Sequence, residues 1–139
     1  MYRKLLTALF ALLFLFIGRA QAFEFPIKIT EYLDDVRVIA YINKSDINEK
    51  LQWTPFGRPP PLSIYGALIA IESYIKDNDD FTNIKLTGIE LKQMPHHDLY
   101  WHYLVKAKYG PEGEMQSHFF VVLMDGKVIA ALKQPESIK

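Results

Sequence analysis

Cysteine is missing from all 139 residues of this chain. That rules out a thiolate nucleophile and a lipid-modified N-terminal cysteine. Any fold must hold together by core packing, without disulfides. Charge of one sign is missing too, since 16 basic residues face 16 acidic ones. Binding a phosphate backbone rests on clustered Lys and Arg, so a nucleic-acid partner is not expected. Glycine-rich phosphate loops, the G-x-S-x-G nucleophile elbow and the H-E-x-x-H zinc motif do not occur. No apolar run reaches the roughly 20 residues that a membrane-spanning helix needs.

What is present begins with an export pattern. Arg3 and Lys4 precede an apolar run from Leu5 to Ile17, interrupted only by Thr7, and Ala20-Gln21-Ala22 supplies a small-x-small cleavage tripeptide. The reading is a cleaved signal peptide over residues 1–22, with a mature chain starting at Phe23 in the periplasm or outside the cell. Removing it takes Arg3, Lys4 and Arg19 and no acid, so the mature chain carries a small acidic excess. A basic membrane-binding patch is not expected, and membrane contact is confined to export.

Residues 23–139 have the length of one domain. Phe23 to Thr30, broken by Pro26, predicts an extended lead-in. Asp35 to Ile42 alternates as a strand, and Ser45-Asp46 with Glu49 predicts a short capped helix through Leu51. Four prolines and a glycine in Trp53 to Leu62 exclude regular structure there. Trp53 and Phe56 either anchor that loop to the body or, with Arg58, form an exposed recognition element. Ser63 caps a helix from Ile64 to about Lys76, with Ile64, Ala67, Leu68, Ile71, Tyr74 and Ile75 as its apolar stripe. Strands follow at Ile84–Lys92, with Gly88 as a bulge, then at Tyr100–Tyr109, Ser117–Met124 and Lys127–Leu132. Met94 to Asp98 connects the first two, and Asp125-Gly126 forms a two-residue hairpin. The fold class is α+β, one main helix packed on an antiparallel meander of about four strands.

Setting Tyr109 opposite Ser117 and Leu123 opposite Val128 gives the sheet two faces. One carries Trp101, Tyr103, Val105, Ala107, Phe119, Val121, Leu123, Val128, Ala130 and Leu132 and should receive the helix. The other carries His102, Leu104, Lys106, Lys108, His118, Phe120, Val122, Met124, Ile129 and Ala131. An apolar centre inside a Lys and His rim is unusual for a solvated face, so the N-terminal segment, a second copy or a partner must cover it.

Chemistry of other kinds finds little support. His96, His97, Asp98 and His102 lack the spacing of a ligand set, and His102 and His118 fall near opposite ends of the hairpin as rim residues. Asp77, Asp79 and Asp80 lack the glycine and glutamate of a calcium loop, whose places are taken by Thr82 and Gly88. Glu72, Glu90 and Glu114 form no spaced carboxylate pair. No metal or cofactor is expected.

The order of elements resembles PepSY-like and, more broadly, cystatin-like small exported bacterial domains over residues 62–133. The residues that carry it are Ala67, Ala70 and Ile71 on the helix, Tyr100 to Val105 on the middle strand, and the hairpin Val121 to Val128 around Asp125-Gly126. The resemblance implies a helix laid across an antiparallel sheet, and a peptidase-modulating, binding or sensing role. Cystatin's inhibitory Q-x-V-x-G loop is absent, so inhibition of papain-like proteases is not implied. The expected function is a non-enzymatic binding or inhibitory module for a periplasmic protein. Its candidate contacts are Trp53, Phe56, Arg58, His102, Leu104, Lys106, Lys108, His118, Phe120, Val122 and Ile129. The alternatives are a homodimer joined through the same apolar face and, less favoured, a small-ligand-binding protein or an enzyme with a pocket between helix and sheet.

Overall fold

Two adjacent aspartates make the first turn of the fold. In the computed structural model, which describes residues 25–135, Asp34 and Asp35 take φ of 51° and 62°. Positive φ at both centres is the type I′ hairpin turn, and Asp tolerates it better than most side chains. The turn joins β1 (Ile27–Leu33) to β2 (Val36–Ile42) in register from Leu33↔Val36 to Ile27↔Ile42. Ile27, Ile29, Val38, Ala40 and Ile42 line one buried side of the pair. The expected lead-in is therefore a strand from Ile27 onward. Pro26 stands just before it, where its missing N–H interrupts no ladder. The predicted signal peptide and its expected cleavage site lie outside the described residues.

The predicted helix through Leu51 is replaced by a single 3-10 turn at Lys44–Asp46. Asp46 does not cap a following turn because its carboxylate is committed elsewhere. It accepts from the Asn43 N–H at 2.8 Å and from the Lys127 ammonium. Ile47 is already extended, and one turn without a successor does not repay helix nucleation.

Helix α1 (Ile64–Lys76) starts where expected, with Ser63 Oγ accepting from Gly66 N at 3.0 Å. Gly66 also leaves space for Leu62, whose Cδ1 would stand 2.7 Å from an added Cβ. Ala67 and Ile71 are its buried contacts.

Four strands follow in spatial order β3-β4-β5-β6: β3 (Lys85–Met94), β4 (His97–Tyr109), β5 (Gln116–Leu123) and β6 (Val128–Ala130). The register shift at Gly88 confirms the bulge. The connection between β3 and β4 is shorter than expected, only Pro95 and His96. Proline followed by a residue at φ 63° has the form of a type II turn. The chain then leaves this sheet at Ala131, and β7 (Leu132–Lys133) joins the first hairpin as β1-β2-β7.

The fold is thus α+β with three layers: α1, the four-stranded sheet, and the three-stranded N-terminal sheet. One core lies between α1 and the large sheet, around Ala67, Ile71, Tyr103, Val105, Phe120 and Val122. The second lies between the sheets, around Ile29, Val38, Ala40, Leu104, Phe119 and Val121.

Candidate functional site

The second sheet face, expected to gather eight of the contact candidates, does not exist as one surface. Asp125-Gly126 belongs to a three-residue loop, with Gly126 N bonded to Leu123 O and Leu123 N to Lys127 O, both at 2.9 Å, and Gly126 at φ 88°. A turn followed by a left-handed glycine adds one residue relative to a two-residue hairpin. Val122 therefore faces Val128, and separately the 110–115 loop sets Tyr109 opposite Gln116 and Val105 opposite Phe120, one residue from the expected register. A one-residue slip exchanges the faces of a strand. Phe120 and Val122 turn to the helix, while Phe119, Val121 and Leu123 turn to the N-terminal sheet.

His102 and His118 consequently lie on opposite faces, and neither is a rim residue. His102 is buried between the sheets. His118 is buried on the helix side among Phe81, Tyr109 and Phe120, with ring centroids at 5.4, 5.7 and 5.1 Å. Neither ring makes a hydrogen bond within the described protein. Burial pushes both down from 6.5 to about 4, with Lys92 adding to it at His102 and Lys133 at His118.

Leu104 is fully buried, and Ile129 packs against the same inter-sheet core. Lys106 is tied to Glu31 at 3.3 Å and Glu90 at 3.7 Å, and Lys92 reaches Glu31 at 3.6 Å, so this rim bridges the two sheets. Lys108 is exposed. The Ser117 hydrogen bonds hold the Asp34 carboxyl below its ordinary value, with Lys108 and Lys133 adding to the effect. The cover over this face is the chain's own N-terminal sheet, so a partner or second copy cannot reach it while that sheet is docked.

The proline-rich loop is anchored by Trp53 near its start, and Leu62 at its end packs against the helix-side core. Trp53 is buried, its N–H donates to Leu99 O at 3.0 Å, its Nε1 donates to Arg58 O at 2.9 Å, and its ring meets Trp101 edge-on at 5.0 Å. Arg58 Nη2 returns a bond to Gln52 O at 2.9 Å, and Gln52 Nε2 donates to Tyr100 OH at 3.2 Å. Farther along, Tyr103 OH donates to Leu62 O at 2.6 Å. The loop is stapled at both ends. At its tip, after Pro55, Phe56 is fully exposed at φ 76°. Left-handed backbone disfavours a bulky L side chain, and this ring gains no packing in return.

Phe56 thus resolves the two readings of the loop: Trp53 anchors it and Phe56 does not. Ile64, Tyr65 and Ile69 on α1 are also exposed, with Tyr65 the most open. Tyr65 and Ile69 lie off the predicted apolar stripe of the helix. Their signal was apolar side chains at i and i+4 off that stripe.

Arg58 is the one charged side chain in the segment 51–62. The arrangement suits contact through rings and aliphatic groups, with no acid or base to move a proton. A shallow indentation lined by Asp46, Asn48, Leu51, Trp101 and Asp125 has room for about one water molecule. Burial acts to raise Asp46, and the hydrogen bonds from Lys127 and Asn43 outweigh it and hold the carboxyl low. Among the described residues no group of three His, Cys, Asp or Glu could hold a metal, and no helix is long and apolar enough to cross a membrane. The chain matches no protein-family model, no curated protein and no solved structure.

Proposed function

We propose that this chain is an exported, non-enzymatic binding module that meets a protein partner through the Trp53–Arg58 loop and the adjoining start of α1. Export rests on the Met1 to Ala22 pattern. The contact surface rests on one observation: Phe56 is held in the left-handed region, entirely in solvent, on a loop bonded at both ends. A loop fixed before binding loses little entropy on association, and exposed aromatic anchors are the side chains that most often dominate interface energetics.

The test is a photo-crosslinking amino acid placed at position 56, 65 or 80 in cells that export the protein. The proposal expects a discrete heavier adduct from positions 56 and 65 and none from position 80 on the far turn. Equal labelling at all three positions, or none at 56, would overturn it. N-terminal sequencing of the exported protein should begin at Phe23.

A further inference from the structure

His102 sits where packing alone would favour an aliphatic side chain. Strand alternation places it with Leu104 and Lys106, the face of β4 that the N-terminal sheet covers. Its residue is 1 % exposed, and neither ring nitrogen meets a hydrogen-bond partner in the protein. Leaving a buried polar group unmatched costs about 1–3 kcal/mol, and a charged one costs more.

The surroundings oppose a second proton on that ring. β3 presents Lys92 directly opposite in register. β4 itself contributes Lys106. β1 presents Glu31, already shared by those two lysines, and Glu90 of β3 is engaged by Lys106. The inward side chains of β2 are Val38, Ala40 and Ile42, and β5 supplies Val121 and Leu123. At the Leu123 end, Asp46 is held by Lys127. These three carboxylates, Glu31, Glu90 and Asp46, are already matched by lysines.

We infer that the contact between the two sheets is an acid-sensitive latch: protonation of His102 releases β1, β2 and β7 as a unit and uncovers Leu104, Phe119, Val121 and Leu123, while α1 stays docked. The unit is separable because no backbone ladder joins the sheets. They meet through apolar side chains, the Glu31 ion pairs, the Lys127–Asp46 pair, the Ser117 N–H bond to Asp34 and the bond from Lys133 Nζ to Gln116 Oε1 at 2.6 Å, each of them made by a side chain. The large sheet keeps its own core against α1. Cooperative units of this kind open below the free energy of global unfolding.

Hydrogen exchange of the exported protein between pH 7.5 and 4.5, corrected for intrinsic rates, tests the latch. Protection over 27–42 should fall roughly tenfold to a hundredfold further than protection over 64–76 and 103–107, which loses only what global stability loses. His102→Leu should remove that fall and His118→Leu should keep it. If His102→Leu does not fold at pH 7.5, His102→Gln, uncharged at every pH, takes its place. An equal loss of protection in 27–42 and 103–107 of the wild type, or an unchanged acid response in the His102 variant, overturns the latch.

Discussion

The four-stranded sheet is covered twice, and the two covers are built differently. On one face α1 and the segment after it close an aromatic core, where Phe81 lies 5.0 Å from Phe120 and Tyr74 lies 5.8 Å from Phe120. On the other face a hairpin from the start of the chain packs aliphatic side chains and rims them with Glu31, Glu90, Lys92 and Lys106. Each core encloses one histidine without a hydrogen-bond partner. Covers that share a titratable group but differ in their rims need not fail together. The ion-rimmed layer has the more separable attachment, because its charges lose little on returning to water.

Acid is the strongest means of breaking both cores. The folded protein holds His102 and His118 at about 4, against 6.5 when exposed. Between those values the unfolded chain binds more protons, so stability falls as pH drops from 6.5 toward 4 and is level above 6.5. The loss approaches about 3 kcal/mol per histidine by the usual conversion. Chemical denaturation midpoints measured from pH 7.5 to 4 should show it, and a His102→Leu, His118→Leu double variant should flatten the curve.

Truncating neighbouring side chains compares the covers directly. Phe119→Ala opens the inter-sheet core and Phe120→Ala the helix-side core. Each should cost about 3–5 kcal/mol in denaturant unfolding. Local exchange should separate them, with Phe119→Ala loosening β1 and β2 first and Phe120→Ala loosening α1 first. A smaller effect sharpens the role of the rim. Glu31→Ala removes partly exposed pairs and should cost under about 1 kcal/mol, with the loss fading in high salt.

Much of this architecture was readable because local signals agreed. Ser63 capped its helix, Gly88 bulged its strand, and alternation from Tyr100 to Tyr109 marked the central strand. Where the reading failed, a turn had been assigned by its residues without its geometry. Asp-Gly suits both a two-residue hairpin and the longer loop ending in a left-handed glycine, and only the second is present. The loop between β4 and β5 carried the decisive slip: Tyr109 faces Gln116 and not Ser117, which moved Phe120 and Val122 to the helix and separated His102 from His118. The strand β1 was missed because Asp-Asp is a weaker turn signal than Asp-Gly. Its partner β2 was visible by alternation alone. With β1 unseen, the cover of the second face stayed open between the chain itself and a partner. The loop was legible as irregular from its prolines, but whether Trp53 or Phe56 would be buried depends on Trp101, forty-eight residues beyond Trp53 and in contact with it only after folding.

The least perturbing change bears on the surface outside both cores. Phe56 contributes no buried area, so Phe56→Gly removes only a ring in solvent and relieves a left-handed backbone that costs an L residue about 1–2 kcal/mol. Glycine's extra freedom in the unfolded chain offsets about 0.5–1 kcal/mol of that gain. The net expectation is stability unchanged or raised by up to about 1 kcal/mol, measured by denaturant unfolding at pH 7.5. Neither core should respond in hydrogen exchange. A substitution that leaves folding intact while abolishing crosslinking from position 65 would separate recognition from stability at this loop. A loss of more than about 1 kcal/mol would instead show that the ring contributes to folding, and the exposed loop would then be one more structural element beside the two cores.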